Sequence, residues 1–232
     1  MDGKRINKSR NLPNPTLERL AHLYVILGKL ISLGTLRSQV SSRTLSELMG
    51  VPDHTIRKDI SLLKGERYFW GMKDLKTSQG YLIEQLRALI GKTLGLIRPR
   101  TVCIVGLGNM GTAILNRKIW NEGVFQLAGA FDSSENRLEL LSSKVPLYHA
   151  RDLETVVRKK QIEIGIVTVP PEAAQETVDR LVRGGIRGIV NLAPVILSVK
   201  LKNVILRNLS LAGELHVLSA YLHEQEEETN NG

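Results

Sequence analysis

Val102-Cys103-Ile104-Val105-Gly106-Leu107-Gly108-Asn109-Met110-Gly111 is the stretch on which the reading of this chain turns. An apolar run of strand character leads into glycines spaced G-x-G-x-x-G, and the last of them opens a helix. Each glycine has its own task. Gly106 permits the tight turn, Gly108 lets the main chain approach a pyrophosphate, and Gly111 lets helix and strand pack closely. The start of that helix adds N–H groups with no partner inside the helix, which favour an anion. A second strand, Phe125 to Phe131, ends at Asp132, 21 positions after Gly111. A carboxylate at that strand end accepts hydrogen bonds from the hydroxyls of an adenosine ribose and repels a 2′-phosphate, so the spacing predicts NAD(H) over NADP(H). The competing reading is a glycine turn packed for its own sake. Strand, helix and acid together favour the nucleotide.

Downstream, strands alternate with helices. Ile162 to Val169 and Ile186 to Leu192 read as apolar strands. They enclose a helix begun by Pro170-Pro171-Glu172, with Ala174, Val178, Leu181 and Val182 as its buried stripe. This alternation predicts a doubly wound parallel sheet of the Rossmann type, an α/β fold covered on both faces. A last strand is expected near Val204 to Leu211 and a last helix from Glu214 to about His223. The remainder, Glu224 to Gly232, reads as a solvated, poorly ordered tail. Ligands of such sheets lie beyond the carboxyl ends of the strands. Thr168, Val169 and Pro170 at one strand end, and Asn191, Ala193 and Pro194 at another, therefore join Asn109, Met110 and the three glycines as candidate cofactor-binding residues. For the two strand ends at 168–170 and 191–194, ordinary strand-to-helix turn chemistry explains each residue equally well.

Upstream the composition changes. The net charge of +9 divides into +10 for residues 1–100, with 18 Lys+Arg against 8 Asp+Glu, and −1 for residues 101–232, with 14 against 15. Clustered cations attract a polyanion such as DNA. Lys4, Arg5, Lys8 and Arg10 form a basic arm, and Pro13 and Pro15 precede a helix that Asn14 or Thr16 can cap. Leu17, Leu20, Tyr24, Leu27 and Ile31 repeat at helical spacing, and Gly34 suits a left-handed stop. Ser42 or Thr44 can cap a second helix with Leu45, Leu48 and Met49 inward, Thr44 and Glu47 forming a capping box. After a Gly50-Val51 turn, Pro52 and Asp53 open a third helix with Ile56, Ile60 and Leu63 on one face.

Helix, glycine turn and a second helix with a cationic outer face is the layout of a helix-turn-helix. Tyr68-Phe69-Trp70 and Gly80-Tyr81-Leu82-Ile83 suit the strands of a wing, and Leu82 to Leu94 a connecting helix. His54, Thr55, Arg57 and Lys58 lie in the first turns of the expected recognition helix, where side chains enter the major groove. Arg57 suits a base contact and Lys58 a phosphate. Arg10, Ser42 and Lys73 complete the candidate DNA-binding set. A merely solvated cationic face is the alternative.

One cysteine, Cys103, inside an apolar strand excludes a disulfide framework and a cysteine-rich metal site, and fits a reducing cytoplasm. The apolar stretch Leu17 to Leu33 is broken by Glu18, Arg19, His22 and Lys29, so no membrane span or secretory signal core is expected. His22, His54, His149, His216 and His223 share no metal-ligand spacing, His149 reading as part of a mid-chain loop, and none stands out as a catalytic base.

The chain resembles the redox-sensing transcriptional repressors called Rex over almost its full length. The likeness is carried by Val40-Ser41-Ser42, Ile56-Arg57-Lys58-Asp59-Ile60, the glycine motif with Phe131-Asp132, and Thr168-Val169-Pro170 followed by Glu172-Ala173-Ala174-Gln175. Gly185-Ile186-Arg187-Gly188-Ile189, Asn191-Leu192-Ala193-Pro194 and Arg207-Asn208-Leu209 continue it. This resemblance implies a homodimer on double-stranded operator DNA, with winged-helix and Rossmann domains and the last helix swapped between subunits. It further implies that NAD⁺ and NADH compete for one site and that NADH releases the DNA. The divisions expected are 1–97 for the winged-helix domain, 98–212 for the nucleotide domain, and 213–232 for the dimerisation helix and acidic tail. Three positions depart from the family pattern. The glycine-rich wing is replaced by Gly65-Glu66-Arg67-Tyr68-Phe69-Trp70-Gly71, the Asp after the Arg-Asn pair by Ser210, and the Tyr after the glycine-motif helix by Arg117. Because those acidic and phenolic positions serve the redox response, two alternatives stand beside an NAD(H)-modulated, non-enzymatic repressor. One is a DNA-binding paralogue that holds NAD(H) without redox discrimination. The other is an NAD-dependent oxidoreductase with a basic appendage.

Overall fold

The computed structural model describes residues 12–34, 38–63, 76–77, 80–117, 120 and 123–230. The chain divides into two compact units between Arg98 and Pro99. In the first, helix α1 (Asn14–Ser32) begins directly after Pro13, whose backbone is extended at ψ 141°. Neither Asn14 nor Thr16 caps it. Thr16 is instead buried and donates its hydroxyl to Asp59 at 3.0 Å. Gly34 is left-handed, as expected after a helix end.

Strand β1 (Gln39–Val40) precedes helix α2 (Ser42–Met49). Ser41 is its cap, with Oγ accepting the Thr44 N–H at 3.0 Å, so neither Ser42 nor Thr44 caps the helix as expected. Leu45 is buried and Met49 packs at the edge of the core, but Leu48 is exposed. Gly50, at φ +64°, ends α2 and makes the turn into helix α3 (Asp53–Leu62) in a conformation that costs a residue with a Cβ more. Strands β2 (Lys76–Thr77) and β3 (Gly80–Leu82) form a hairpin, and β1 pairs antiparallel with β3 to give the order β1-β3-β2. The Tyr68-Phe69-Trp70 segment expected in the wing lies outside the described residues. Helix α4 (Ile83–Thr93) follows. Leu20, Leu23, Leu27, Leu45, Ile56, Ile60, Leu86 and Leu89 close one core, so α1, α2 and α4 pack against the apolar face of α3.

The second unit is a six-stranded, wholly parallel sheet. Its strands are β4 (Arg100–Val105), β5 (Phe125–Asp132), β6 (Leu147–His149), β7 (Ile164–Val167), β8 (Gly188–Asn191) and β9 (Ile205–Asn208). The order β6-β5-β4-β7-β8-β9 places β4 beside both β5 and β7, so the chain reverses its winding between these neighbours. This is the doubly wound order with its switch point at the carboxyl end of β4. Alternate residues of β4 feed opposite layers. Cys103 and Val105 meet helices α7 (Leu153–Lys159) and α8 (Pro171–Gly184), while Ile104 packs with Leu107 and Leu115 of the glycine loop and helix α5 (Asn109–Leu115). Ala174, Val178 and Leu181 are buried along α8 as expected, with Val182 partly so.

Several elements differ from expectation. His149 ends an edge strand rather than lying in a loop, and helices α6 (Glu135–Leu140) and α7 were not foreseen. The last helix, α9 (Leu211–Asn230), includes Glu226, Glu227 and Glu228, so this acidic stretch is helical rather than a loose tail. Glutamate is a good helix former, which the run of charge concealed.

Candidate functional site

Two sets of residues carry chemistry, one in each unit. In the first, α3 presents His54, Arg57 and Lys58 to solvent with Thr55 half-buried, and Ser42 stands at the first position of α2. Arg57 Nη2 lies 3.1 Å from Asp53 Oδ2, one turn earlier, so the guanidinium leans along its own helix. Behind it, Asp59 occupies the core face of α3 and is 3% exposed. It accepts from Thr16 Oγ1 at 3.0 Å and from both Nε and Nη2 of Arg19, the latter at 2.9 Å. Hydrogen bonding to Asp59 holds the Arg19 guanidinium above its ordinary pKa against a partial burial cost. This bidentate pair fastens α3 to α1. The sequence carried its signal: in Ile56, Asp59, Ile60 and Leu63 a carboxylate falls on the apolar stripe and requires a partner. Arg10 and Lys73 lie outside the described residues.

In the second unit, a cleft of about 620 Å³ opens at the switch point. Of the expected residues, Gly106, Gly108, Asp132, Thr168, Val169, Pro170 and Pro194 line it. Gly106 adopts φ +96°, and a Cβ there would meet the Thr168 carbonyl and Val169 Cγ1 at 2.9 Å. Thr168 Oγ1 sits 2.6 Å from the Gly106 carbonyl and 3.0 Å from that of Val105, tying the loop to β7. A Cβ on Gly111 would collide with the Gly106 carbonyl, which fixes the helix close against the strand. A Cβ on Gly108 would meet nothing and project into open space at the cleft wall, the space the ligand argument required. Asn109 and Met110 start α5 without lining the cleft, Met110 being exposed. Asn191 and Ala193 are buried: the Asn191 amide donates to the Val195 carbonyl at 2.6 Å and to Asn208 Oδ1 at 2.9 Å, and accepts the Ala193 N–H at 2.9 Å. Their work is to shape the turn that presents Pro194.

Asp132 has an environment that the motif did not reveal. Oδ2 accepts the Leu107 N–H at 2.6 Å, Oδ1 accepts the Ser134 N–H at 2.9 Å, and Arg137 Nη1 reaches Oδ1 at 2.9 Å and Oδ2 at 3.0 Å. Burial pushes this carboxyl up, but the bonds from Ser134, Leu107 and Arg137 outweigh it and hold its pKa below the ordinary value. Arg137 and Arg180, both in the cleft lining, were also missed. Arg180 Nη2 donates to the carbonyls of Ala150 at 2.7 Å and Arg151 at 2.9 Å. Among the described residues the lining contains no His, Cys, Lys or Tyr, and its carboxylates are Asp132 and Glu176. Among the described residues no group of three or more His, Cys, Asp or Glu side chains could hold a metal ion, and no helix is long and apolar enough to cross a membrane.

Comparison with known proteins places the chain in a family. Residues 97–195 match the family described as "CoA binding domain", and residues 11–61 the one described as "Putative DNA-binding protein N-terminus". Over 213 residues the chain is 35% identical to the redox-sensing transcriptional repressor Rex of Levilactobacillus brevis, covering 92% of this chain and 95% of the relative. The chain belongs to the Rex family of redox-sensing transcriptional repressors. Rex of Lactococcus lactis subsp. cremoris is 34% identical over 94% of this chain and 97% of its own length. Among solved structures, the Rex-family repressor RSP superposes with a TM-score of 0.76 at 33% identity, covering 95% of this chain and 99% of that one. RSP in complex with β-NADH gives 0.77 at 32% identity, covering 96% and 99%. RSP with β-NAD⁺ and operator DNA gives 0.74 at 32%, covering 94% and 96%. The Rex fold thus extends over both units, with the DNA-binding N-terminal part and the Rossmann-like part in the expected order.

Proposed function

We propose that this chain is a homodimeric, cytoplasmic repressor whose grip on operator DNA is set by NAD(H) in the cleft at the switch point. One observation carries this reading: a single Rex-family chain joins a solvent-facing cationic recognition helix to a glycine-walled cleft with room for a pyrophosphate beside Gly108. Residues 1–97 are assigned to DNA, 98–212 to the dinucleotide, and 213–232 to dimerisation. The pyrophosphate is assigned to the Gly106 to Gly111 loop, the adenosine ribose to the Asp132 edge, and the rest of the dinucleotide to Thr168, Val169, Pro170 and the 191–194 turn. On α3, His54, Thr55, Arg57 and Lys58 are assigned to DNA, with Ser42, Arg10 and Lys73 in support. Helix α9 supports the dimer, since Leu211, Leu215, Leu218 and Leu222 fall on one face and are 52% or more exposed.

Switching requires differential affinity. A nucleotide that bound both conformations equally would shift nothing, so NADH must favour the DNA-incompetent form more strongly than NAD⁺ does. Two recognition helices on a palindrome need half-sites about one helical turn apart, ~34 Å, and a rotation of subunits spoils that match. A second reading, NAD(H) binding without redox discrimination, is favoured by Ser210, which stands where the family pattern has Asp. Its Oγ accepts the Gly213 N–H at 3.1 Å, within the first turn of α9. Operator titration under saturating NAD⁺ and under saturating NADH separates the two: weaker binding with NADH supports the sensor, and equal binding supports the second reading. Steady oxidation of NADH with a panel of keto acids and aldehydes would instead establish an oxidoreductase.

A further inference from the structure

Resting on the dinucleotide reading, we propose that Arg137 makes the ribose end of the cleft accept a 2′-phosphate, so that NADP(H) enters this site alongside NAD(H). A carboxylate that selects a bare ribose needs free lone pairs aimed at the hydroxyls. Two carboxylate oxygens offer about four acceptor positions. At Asp132 four contacts fill them, two on Oδ1 from Ser134 N–H and Arg137, two on Oδ2 from Leu107 N–H and Arg137. The side chain is 4% exposed, whereas that of Arg137 is 46% exposed. What a ribose meets at this edge is therefore a guanidinium, flanked by Ser133 in the cleft wall.

Charge leads to the same conclusion. A lone carboxylate repels a 2′-phosphate, but Asp132 is paired with Arg137 at 2.9 Å, and the pair carries no net charge. Both contacts to Asp132 use Nη1 alone, while a guanidinium has five N–H donors in a fork that fits phosphate oxygens bidentately. The cleft lining also includes Arg180, whose hydrogen bonds go to the uncharged carbonyls of Ala150 and Arg151. The acid at the end of the second strand is thus committed to holding the glycine loop, and discrimination passes to the cation five residues on.

The test is direct titration of the full-length protein with NADH and NADPH, before and after Arg137→Ala. The wild type is expected to bind NADPH within about tenfold of NADH, and the substitution to shift that ratio against NADPH by about tenfold or more. NADPH binding a hundredfold or more weaker than NADH in the wild type, or an unchanged ratio in the variant, overturns the proposal. A measurement needing no variant is displacement of bound NADH by adenosine 2′,5′-bisphosphate against 5′-AMP. The bisphosphate is expected to compete at least as well, and clearly poorer competition contradicts the role given to Arg137. Should NADH itself fail to bind, the dinucleotide reading falls as well, a result distinct from NADH binding with NADPH excluded.

Discussion

Asp132 joins the glycine loop, through Leu107, to the start of helix α6, through Ser134 and Arg137. Asp132→Asn leaves Arg137 uncompensated and turns an N–H group towards donors, at a cost of about 1–3 kcal/mol in urea unfolding at neutral pH. Because its folded pKa lies below the unfolded value of about 3.9, this contribution is complete above that value and is lost as pH falls through the lower, folded one. The difference between wild type and Asp132→Asn should therefore shrink in unfolding series carried below pH ~4; a difference independent of pH would exclude an ionised Asp132 as its source. Cys103 is fully buried, and burial pushes its thiol up to about 12. The native protein should show no reactive thiol to a disulfide reagent at pH 8, and one after denaturation. On α3, Arg57→Ala should cost ~1–3 kcal/mol of operator binding and relax sequence preference, whereas Lys58→Ala should weaken all duplexes and lower the salt slope by about one. Equal behaviour of the two variants would contradict the division of labour between base and phosphate.

At the scale of elements, α3 depends on its attachment to α1. Asp59→Ala removes the partner of Arg19 and Thr16, and should cost about 1–3 kcal/mol of stability and weaken operator binding. NADH affinity should be retained; loss of NADH binding in a folded variant would show that Asp59 acts elsewhere. Legibility also differed by element. Strands β4, β5, β7 and β8 were readable because central strands of a parallel sheet are continuous apolar runs. Leu147-Tyr148-His149 and Gln39-Val40 were not, since edge pairs of three and two residues are defined by their neighbours rather than by their own pattern. Helices α6 and α7, of six and seven residues, are too short for helical periodicity to show. In the cleft, Gly106, Gly108 and Asp132 were legible through fixed spacing along the chain. Arg137 and Arg180 were not, because their partners, the Asp132 carboxylate and the carbonyls of Ala150 and Arg151, are defined only once β5, α6 and α8 converge. Asn191 was legible as a strand-end residue, but its role in shaping the 191–195 turn depends on Asn208 from β9.

For the whole molecule, the proposed coupling between operator binding and the nucleotide cleft requires a dimer. Helix α9 is exposed along its length, with Leu215, Leu218 and Leu222 at 56%, 52% and 52%. Leu215→Glu with Leu218→Glu should convert a dimer to a monomer by light scattering and weaken operator binding by more than an order of magnitude, because two half-sites no longer share one ligand. A monomeric wild type would remove the geometric basis of switching. The most direct measurement is a titration of full-length protein on one palindromic operator at fixed salt, without nucleotide, with saturating NAD⁺, and with saturating NADH. Tight binding that survives NAD⁺ and weakens at least tenfold with NADH is the predicted result, a differential nucleotide affinity of about 1.4 kcal/mol. Identical operator affinity in all three conditions would contradict the account.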